Sequence, residues 1–151
     1  MPSVVLYQPE IPQNTGNISR TCAATGTSLH LIEPLGFELS DRQLKRAGLD
    51  YWQYLDLHIH KSFEAFAETC RPAPVFALST KGERLYTDVA FTPETYLLFG
   101  RETSGLPPEL YESLELLRVP MRPEPRSLNL SNTVALVLYE ALRQNGFPGL
   151  L

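Results

Sequence analysis

Positive charge is in short supply in this sequence. Its 151 residues hold 13 Lys and Arg against 17 Asp and Glu, a net charge of −4 at pH 7. That balance excludes a chain that coats nucleic acid through its overall charge. It leaves room for a local basic patch, because the field depends on where charges sit. Cysteine is scarce too. Cys22 and Cys70 are expected to be buried, inert thiols rather than a disulfide, in an apparently cytosolic setting. No uncharged apolar run reaches the ~18 residues of a membrane span. No basic stretch at the N-terminus leads into an apolar one, so no secretion leader and no membrane partner are expected, and the expected location is cytoplasmic. The glycine signatures G-x-G-x-x-G and G-x-x-x-x-G-K-[ST] are missing, and so is the nucleophile elbow G-x-S-x-G. His58 and His60 share one face of a strand, but no third ligand lies nearby in sequence, so no metal is expected.

What is present reads as one folded domain over residues 1–151. Apolar residues make up 43% and charged residues 20%, ordinary values for a chain that buries a core. Strands are predicted at 4–7, 29–32, 54–59, 75–79, 96–99 and 116–119. Helices are predicted between them: one capped by Asn14 or Thr15 and stopped by Gly26, and one from Ser40 or Asp41 through Leu44 and Ala47 to Gly48. Others are opened by Ser62, lie near 108–113, and run from about Ser131 to Asn145. Strand and helix alternate throughout, which predicts an α/β domain with a mostly parallel sheet flanked by helices. The last helix carries Val134, Ala135, Leu136, Val137, Leu138, Tyr139, Ala141 and Leu142, with almost no polar stripe in its first turns. Such a helix is buried on more than one side. A subunit interface and a deep place in the monomer core account for it equally well.

Two polar loops stand out against this background. Leu97 to Phe99 reads as a strand that stops at Gly100 and enters a loop through Gly105 to Pro107. Arg126 to Asn132 is a run of small hydrogen-bonding residues feeding the last helix. Glycine lets a ligand approach the main chain, and a helix N-terminus offers free N–H groups. Together they predict a pocket built largely from backbone. Asn14, Asn17 and Arg20 add a polar cluster after the first strand. Arg118, Arg122 and Arg126 are spaced four apart, and Arg42, Lys45 and Arg46 form a second basic group. Together the basic groups are able to hold a phosphodiester backbone despite the negative total.

These residues resemble the SPOUT class of S-adenosylmethionine-dependent RNA methyltransferases. The resemblance rests on N-x-G-N-x-x-R from Asn14 to Arg20, F-G-x-E-x-x-G-L-P from Phe99 to Pro107, and P-M followed by S-L-N-L-S-N from Pro120 to Asn132. It covers essentially the whole chain. Pro9-Glu10-Ile11-Pro12, Arg46-Ala47-Gly48-Leu49-Asp50-Tyr51 and Tyr139-Glu140-Ala141 look most like the minimal bacterial enzymes that methylate the ribose 2′-oxygen of the tRNA wobble nucleotide. The resemblance implies a C-terminal deep trefoil knot, S-adenosylmethionine as cofactor, tRNA as partner and a homodimer. By position it implies that Leu78, Gly100, Val119, Met121, Ser127 and Leu128 line the cofactor pocket. Arg20, Ser127 and Asn129 match catalytic positions, and Asn14, Glu102, Arg126 and Tyr139 match positions near the RNA. Whether Arg20 removes the hydroxyl proton or positions the hydroxyl and phosphate stays open at this point. Methylation of ribosomal RNA, or RNA binding without catalysis, are the alternative functions.

Overall fold

The computed structural model describes residues 1–40, 42, 44, 46, 49–124 and 127–151. Seven strands form one sheet: β1 (Ser3–Tyr7), β2 (Leu29–Ile32), β3 (Leu57–His60), β4 (Val75–Leu78), β5 (Arg84–Leu85), β6 (Tyr96–Phe99) and β7 (Glu115–Arg118). Their order is β3-β2-β1-β6-β4-β7-β5, and every pairing is parallel. The α-helices with fully described bounds flank it: α1 (Pro12–Thr25), α2 (Phe63–Cys70), α3 (Pro108–Ser113) and α4 (Leu130–Gln144).

Side-chain alternation decides which helices cover which face. Val4, Leu6, Leu29, Leu31, Leu97 and Phe99 point one way and meet Ile18 and Cys22 of α1 and Val134, Val137, Leu138, Ala141 and Leu142 of α4. Val5, Ile32, Ala77 and Leu98 point the other way and meet Phe66 and Cys70 of α2 and Leu106 and Leu110 by α3. A sheet covered on both faces needs apolar residues at successive positions, which is why these strands read as continuous apolar runs. Cys22 and Cys70 are free and buried, and burial pushes the Cys22 thiol up to about 12.

Several boundaries depart from expectation. Helix α1 begins at Pro12, so Asn14 and Thr15 lie inside its first turn and are buried rather than capping it. Proline suits the first helical position because its missing N–H would have been unpaired there. The strand expected at 54–59 starts at Leu57, because Leu49–Tyr54 forms a 3-10 helix. The pairing of Leu29 N–H with the Asp56 carbonyl sets that start. The two-residue β5 was not foreseen, being too short to show periodicity. Arg42, Leu44 and Arg46 are helical as expected, whereas the proposed cap at Asp41 and the end at Ala47 and Gly48 lie outside the described residues. Helix α4 buries one face only, and Leu136 and Tyr139 on the other are 43% and 46% exposed. Among the described residues, no helix is long and apolar enough to cross a membrane.

The histidines behave unlike the sequence reading. Register pairs His30 of β2 with His58 of β3. The His30 ring stacks on those of His58 and His60, and His30 Nδ1 lies 2.9 Å from His60 Nε2. The third histidine is therefore present in space, although no metal-holding group exists among the described residues. Burial, then the charges of His58 and His60, hold His30 down at about 4, below its usual 6.5. Protonation thus favours the unfolded chain. The stability His30 contributes is complete above about pH 6.5 and is lost as pH falls through about 4. Melting temperature should drop by on the order of 5 °C across that window, and His30→Gln should flatten the drop. An unchanged pH profile in that variant would remove His30 as its cause.

Candidate active site

All the strands run parallel, so the loops that leave their carboxyl ends gather along one edge of the sheet. The order also reverses around β1, with β2 on one side and β6 on the other. Such switch points leave a crevice at the carboxyl ends, where open α/β sheets bind ligands. Here the loops after β1, β4, β6 and β7 enclose a cavity of about 540 Å³, a size suited to a small cofactor.

Each loop is held by its own chemistry. Gly100 ends β6, and a Cβ there would come 2.5 Å from the Gly105 carbonyl carbon and 2.6 Å from Leu106 N. The loop doubles back that tightly because Arg101 and Gly105 exchange backbone hydrogen bonds of 3.1 and 2.9 Å. Gly105 supplies the left-handed conformation the return requires, at φ 67°. The Arg101 side chain clips the loop shut by donating to the Gly105 carbonyl and to Gln8 Oε1, with its guanidinium over the Tyr7 ring.

The Glu102 carboxylate accepts from the backbone N–H of Glu10, at 2.8 Å, and of Ile11, at 3.2 Å. Glu10 answers by accepting from the backbone N–H and the hydroxyl of Thr103. Those hydrogen bonds hold the Glu10 carboxyl below its ordinary value. The entry to α1 and the glycine loop are thereby locked together. Asn129 is the cap of α4: its Oδ1 accepts from the backbone N–H of Ser131 and Asn132 and from the Ser131 hydroxyl. Its Nδ2 donates to Asn14 Oδ1 at 3.2 Å.

The expected cofactor residues Leu78, Gly100, Val119, Met121, Ser127 and Leu128 all line this cavity, and so do Asn14, Glu102 and Asn129. Arg20 does not. It is exposed on α1, with its guanidinium 4.8 Å from the Tyr51 ring centroid. Tyr139 lies exposed on α4 and is not part of the lining either. Arg126 lies outside the described residues. Arg118 and Arg122 flank a second cavity of about 380 Å³, which shares Thr80, Val119 and Met121 with the first. The residues that sequence reasoning missed are Ser79, Thr80 and Lys81 after β4, and Glu10, which lies in a matched string without an assigned role.

The lining is mostly neutral. Its charged members are Lys81, Arg101 and Glu102, and the last two are engaged within the protein. A backbone-rich wall of this kind fits S-adenosylmethionine, whose sulfonium gains nothing from a nearby cation. Fold and site together define an α/β protein that holds a small cofactor over the carboxyl ends of parallel strands. The chain belongs to the SpoU rRNA methylase family, whose model matches residues 1–139.

Relatives fall into two grades. The tRNA (cytidine(34)-2′-O)-methyltransferase of Burkholderia cenocepacia is 54% identical, with 97% of each chain covered. A solved structure concerned with 2-OH methylation of C/U34 on tRNA superposes with a TM-score of 0.94, at 53% identity and 97% coverage of both chains. An AdoMet-bound rRNA methyltransferase from Sinorhizobium meliloti superposes with a TM-score of 0.86, at 27% identity, over 94% of this chain and 56% of that one.

Gly100 offers a direct check on the cavity. Gly100→Ala forces backbone apart within the loop, an overpacking that costs about 1–3 kcal/mol. Calorimetry should show affinity for S-adenosylmethionine falling more than about tenfold, with the secondary structure retained by circular dichroism. Unaltered affinity would place the ligand elsewhere.

Proposed function

We propose that this chain transfers a methyl group from S-adenosylmethionine to the ribose 2′-oxygen of the wobble nucleotide, cytidine or modified uridine, in the tRNA anticodon loop. The observation that carries the reading is the meeting of Asn14, Glu102 and Asn129, one from each motif, around one mostly uncharged cavity. The relatives named for cytidine 34, matched over nearly their whole length, support the choice of substrate. The chain works as a single domain in the cytoplasm. Its C-terminal part is a deep trefoil knot, a reading supported by β4 lying between two later strands, β6 and β7.

The cavity's neutral lining holds the cofactor through Leu78, Gly100, Val119, Met121, Ser127 and Leu128. When bound, S-adenosylmethionine supplies a methyl group on a sulfonium centre. The protein aligns the ribose hydroxyl with that methyl and keeps water out. A guanidinium is a cation wherever RNA survives, so Arg20 orients the hydroxyl and the adjacent phosphate, and the hydroxyl proton passes to that phosphate or to a water. Ser127 and Asn129 border the reaction, and Asn129 is held in place by its cap and by Asn14. Asn14, Glu102, Arg126 and Tyr139 lie on the RNA side, with Glu102 also anchoring the entry to α1.

Purified enzyme, S-adenosylmethionine and unmodified tRNA should give a 2′-O-methyl nucleoside at position 34 by mass spectrometry. Methylation of ribosomal RNA alone would overturn the substrate. Arg20→Ala should reduce single-turnover transfer by about 100-fold or more and leave cofactor affinity within about twofold, since Arg20 is outside the cavity. Arg20→Lys should stay poor at every pH, because lysine lacks the planar fork. Near-normal transfer by Arg20→Ala would demote it to a surface residue.

Arg20 does not line the cavity of its own chain, and α4 leaves Leu136 and Tyr139 uncovered. A homodimer that covers this face accounts for both facts. Sedimentation at micromolar concentration should give a dimer, and Leu136→Glu should give a monomer with little activity. A monomeric unmutated protein would confine the site to one subunit.

A further inference from the structure

The cavity has one charged group whose work within the protein is incomplete. Lys81 lies in the loop after β4, and that loop is tightly built. The Ser79 N–H donates to the Leu117 carbonyl, the Lys81 N–H to Ser79 Oγ at 3.1 Å, and the Gly82 N–H to the Ser79 carbonyl. A Cβ on Gly82 would come 2.7 Å from the Leu117 carbonyl carbon, so this loop lies flat against β7. The backbone of Lys81 is thereby fixed, and its ammonium sits 4.8 Å from the centroid of the Tyr111 ring, which also lines the cavity.

Among the described residues no carboxylate pairs with it. The close contacts between basic and acidic side chains among those residues are His58 with Asp56, Arg84 with Glu115 and Arg143 with Glu140. The cavity's own carboxylate, Glu102, is taken by two backbone N–H groups, and its other cation, Arg101, by Gly105 and Gln8. An aromatic face attracts an ammonium without neutralising it. Lys81 is therefore a cation held at the wall of a cofactor cavity with its charge still available.

We infer that Lys81 receives the α-carboxylate of the cofactor's methionine part, with Tyr111 as the platform that holds the ammonium in place. The reading rests on the cavity being the S-adenosylmethionine pocket. It follows from the chemistry of that molecule: the adenosine is neutral, the sulfonium and ammonium are positive, and the carboxylate is its only anion. A charge-assisted contact there fixes one end of the cofactor while the backbone loops hold the rest.

The test compares two ligands by calorimetry: S-adenosylmethionine and its decarboxylated form, which keeps the sulfonium and lacks only the carboxylate. Lys81→Met should weaken the first about tenfold and leave the second unchanged. Lys81→Arg should bind both within about threefold of the unmutated protein. Higher salt should narrow the gap for S-adenosylmethionine, as expected of an exposed charge pair. Equal weakening of both ligands, or of neither, would overturn the assignment. So would a Lys81→Met variant that loses affinity for tRNA alone, since that would place the ammonium on an RNA phosphate. Gly100→Ala separates the underlying reading from this one: it should weaken both ligands alike, and if it weakens neither, the cavity itself is misassigned.

Discussion

Two carboxylates trade partners where the loop after β1 meets the loop after β6. Glu102, from the loop after β6, takes the N–H groups of Glu10 and Ile11, and Glu10, from the loop after β1, takes both donors of Thr103. Each bond runs from a loop donor to a carboxylate oxygen, the stronger class of protein hydrogen bond. The exchange joins segments more than 90 residues apart. It sets where α1 begins and therefore where Asn14 and Arg20 stand. It also sets the shape of the loop from Gly100 to Leu106. Losing one carboxylate would release its donors to water and free the two loops from each other.

A second coupling completes the frame. Asn129 spends its carbonyl oxygen on capping α4 and its amide nitrogen on Asn14. A residue proposed to border the reaction thus also sets the start of the helix that fills much of the core. Asn129 ties the third motif to the first, and Glu102 ties the second to the segment that leads into the first, so the site is pre-organised by the same bonds that close the domain. That economy suits a methyl transfer in which alignment supplies most of the advantage. It also explains the neutral lining. A cationic cofactor needs shape and exclusion of water, and the charged residues near it are engaged in holding loops, with Lys81 left over.

Much of the architecture was legible in the sequence because the signals were local. Apolar runs at 4–7, 29–32, 75–78 and 96–99 marked strands buried on both faces. Ser62 at the start of α2 and Gly26 after α1 marked helix ends. The glycine loop and the S-L-N-L-S-N run were recognisable because a ligand that approaches backbone restricts which side chains are allowed. Their convergence on Leu78, Gly100, Val119, Met121, Ser127 and Leu128 follows from parallel strands delivering their loops to one edge.

What the chain order alone could not show depended on pairings across the sheet. Asn14 looked like a cap, but Pro12 and the distant Glu102 moved the helix start three residues earlier. His58 and His60 lacked a third neighbour until β2 paired beside them and brought in His30. Lys81 carried no motif, and its place at the cavity arose from β4 being packed between β6 and β7. The sequence determined the elements, because propensity, capping and apolar spacing act over a few residues. The tertiary structure decided the partners, because a hydrogen bond or a ring contact forms only after the sheet has brought distant segments within a few ångströms of one another.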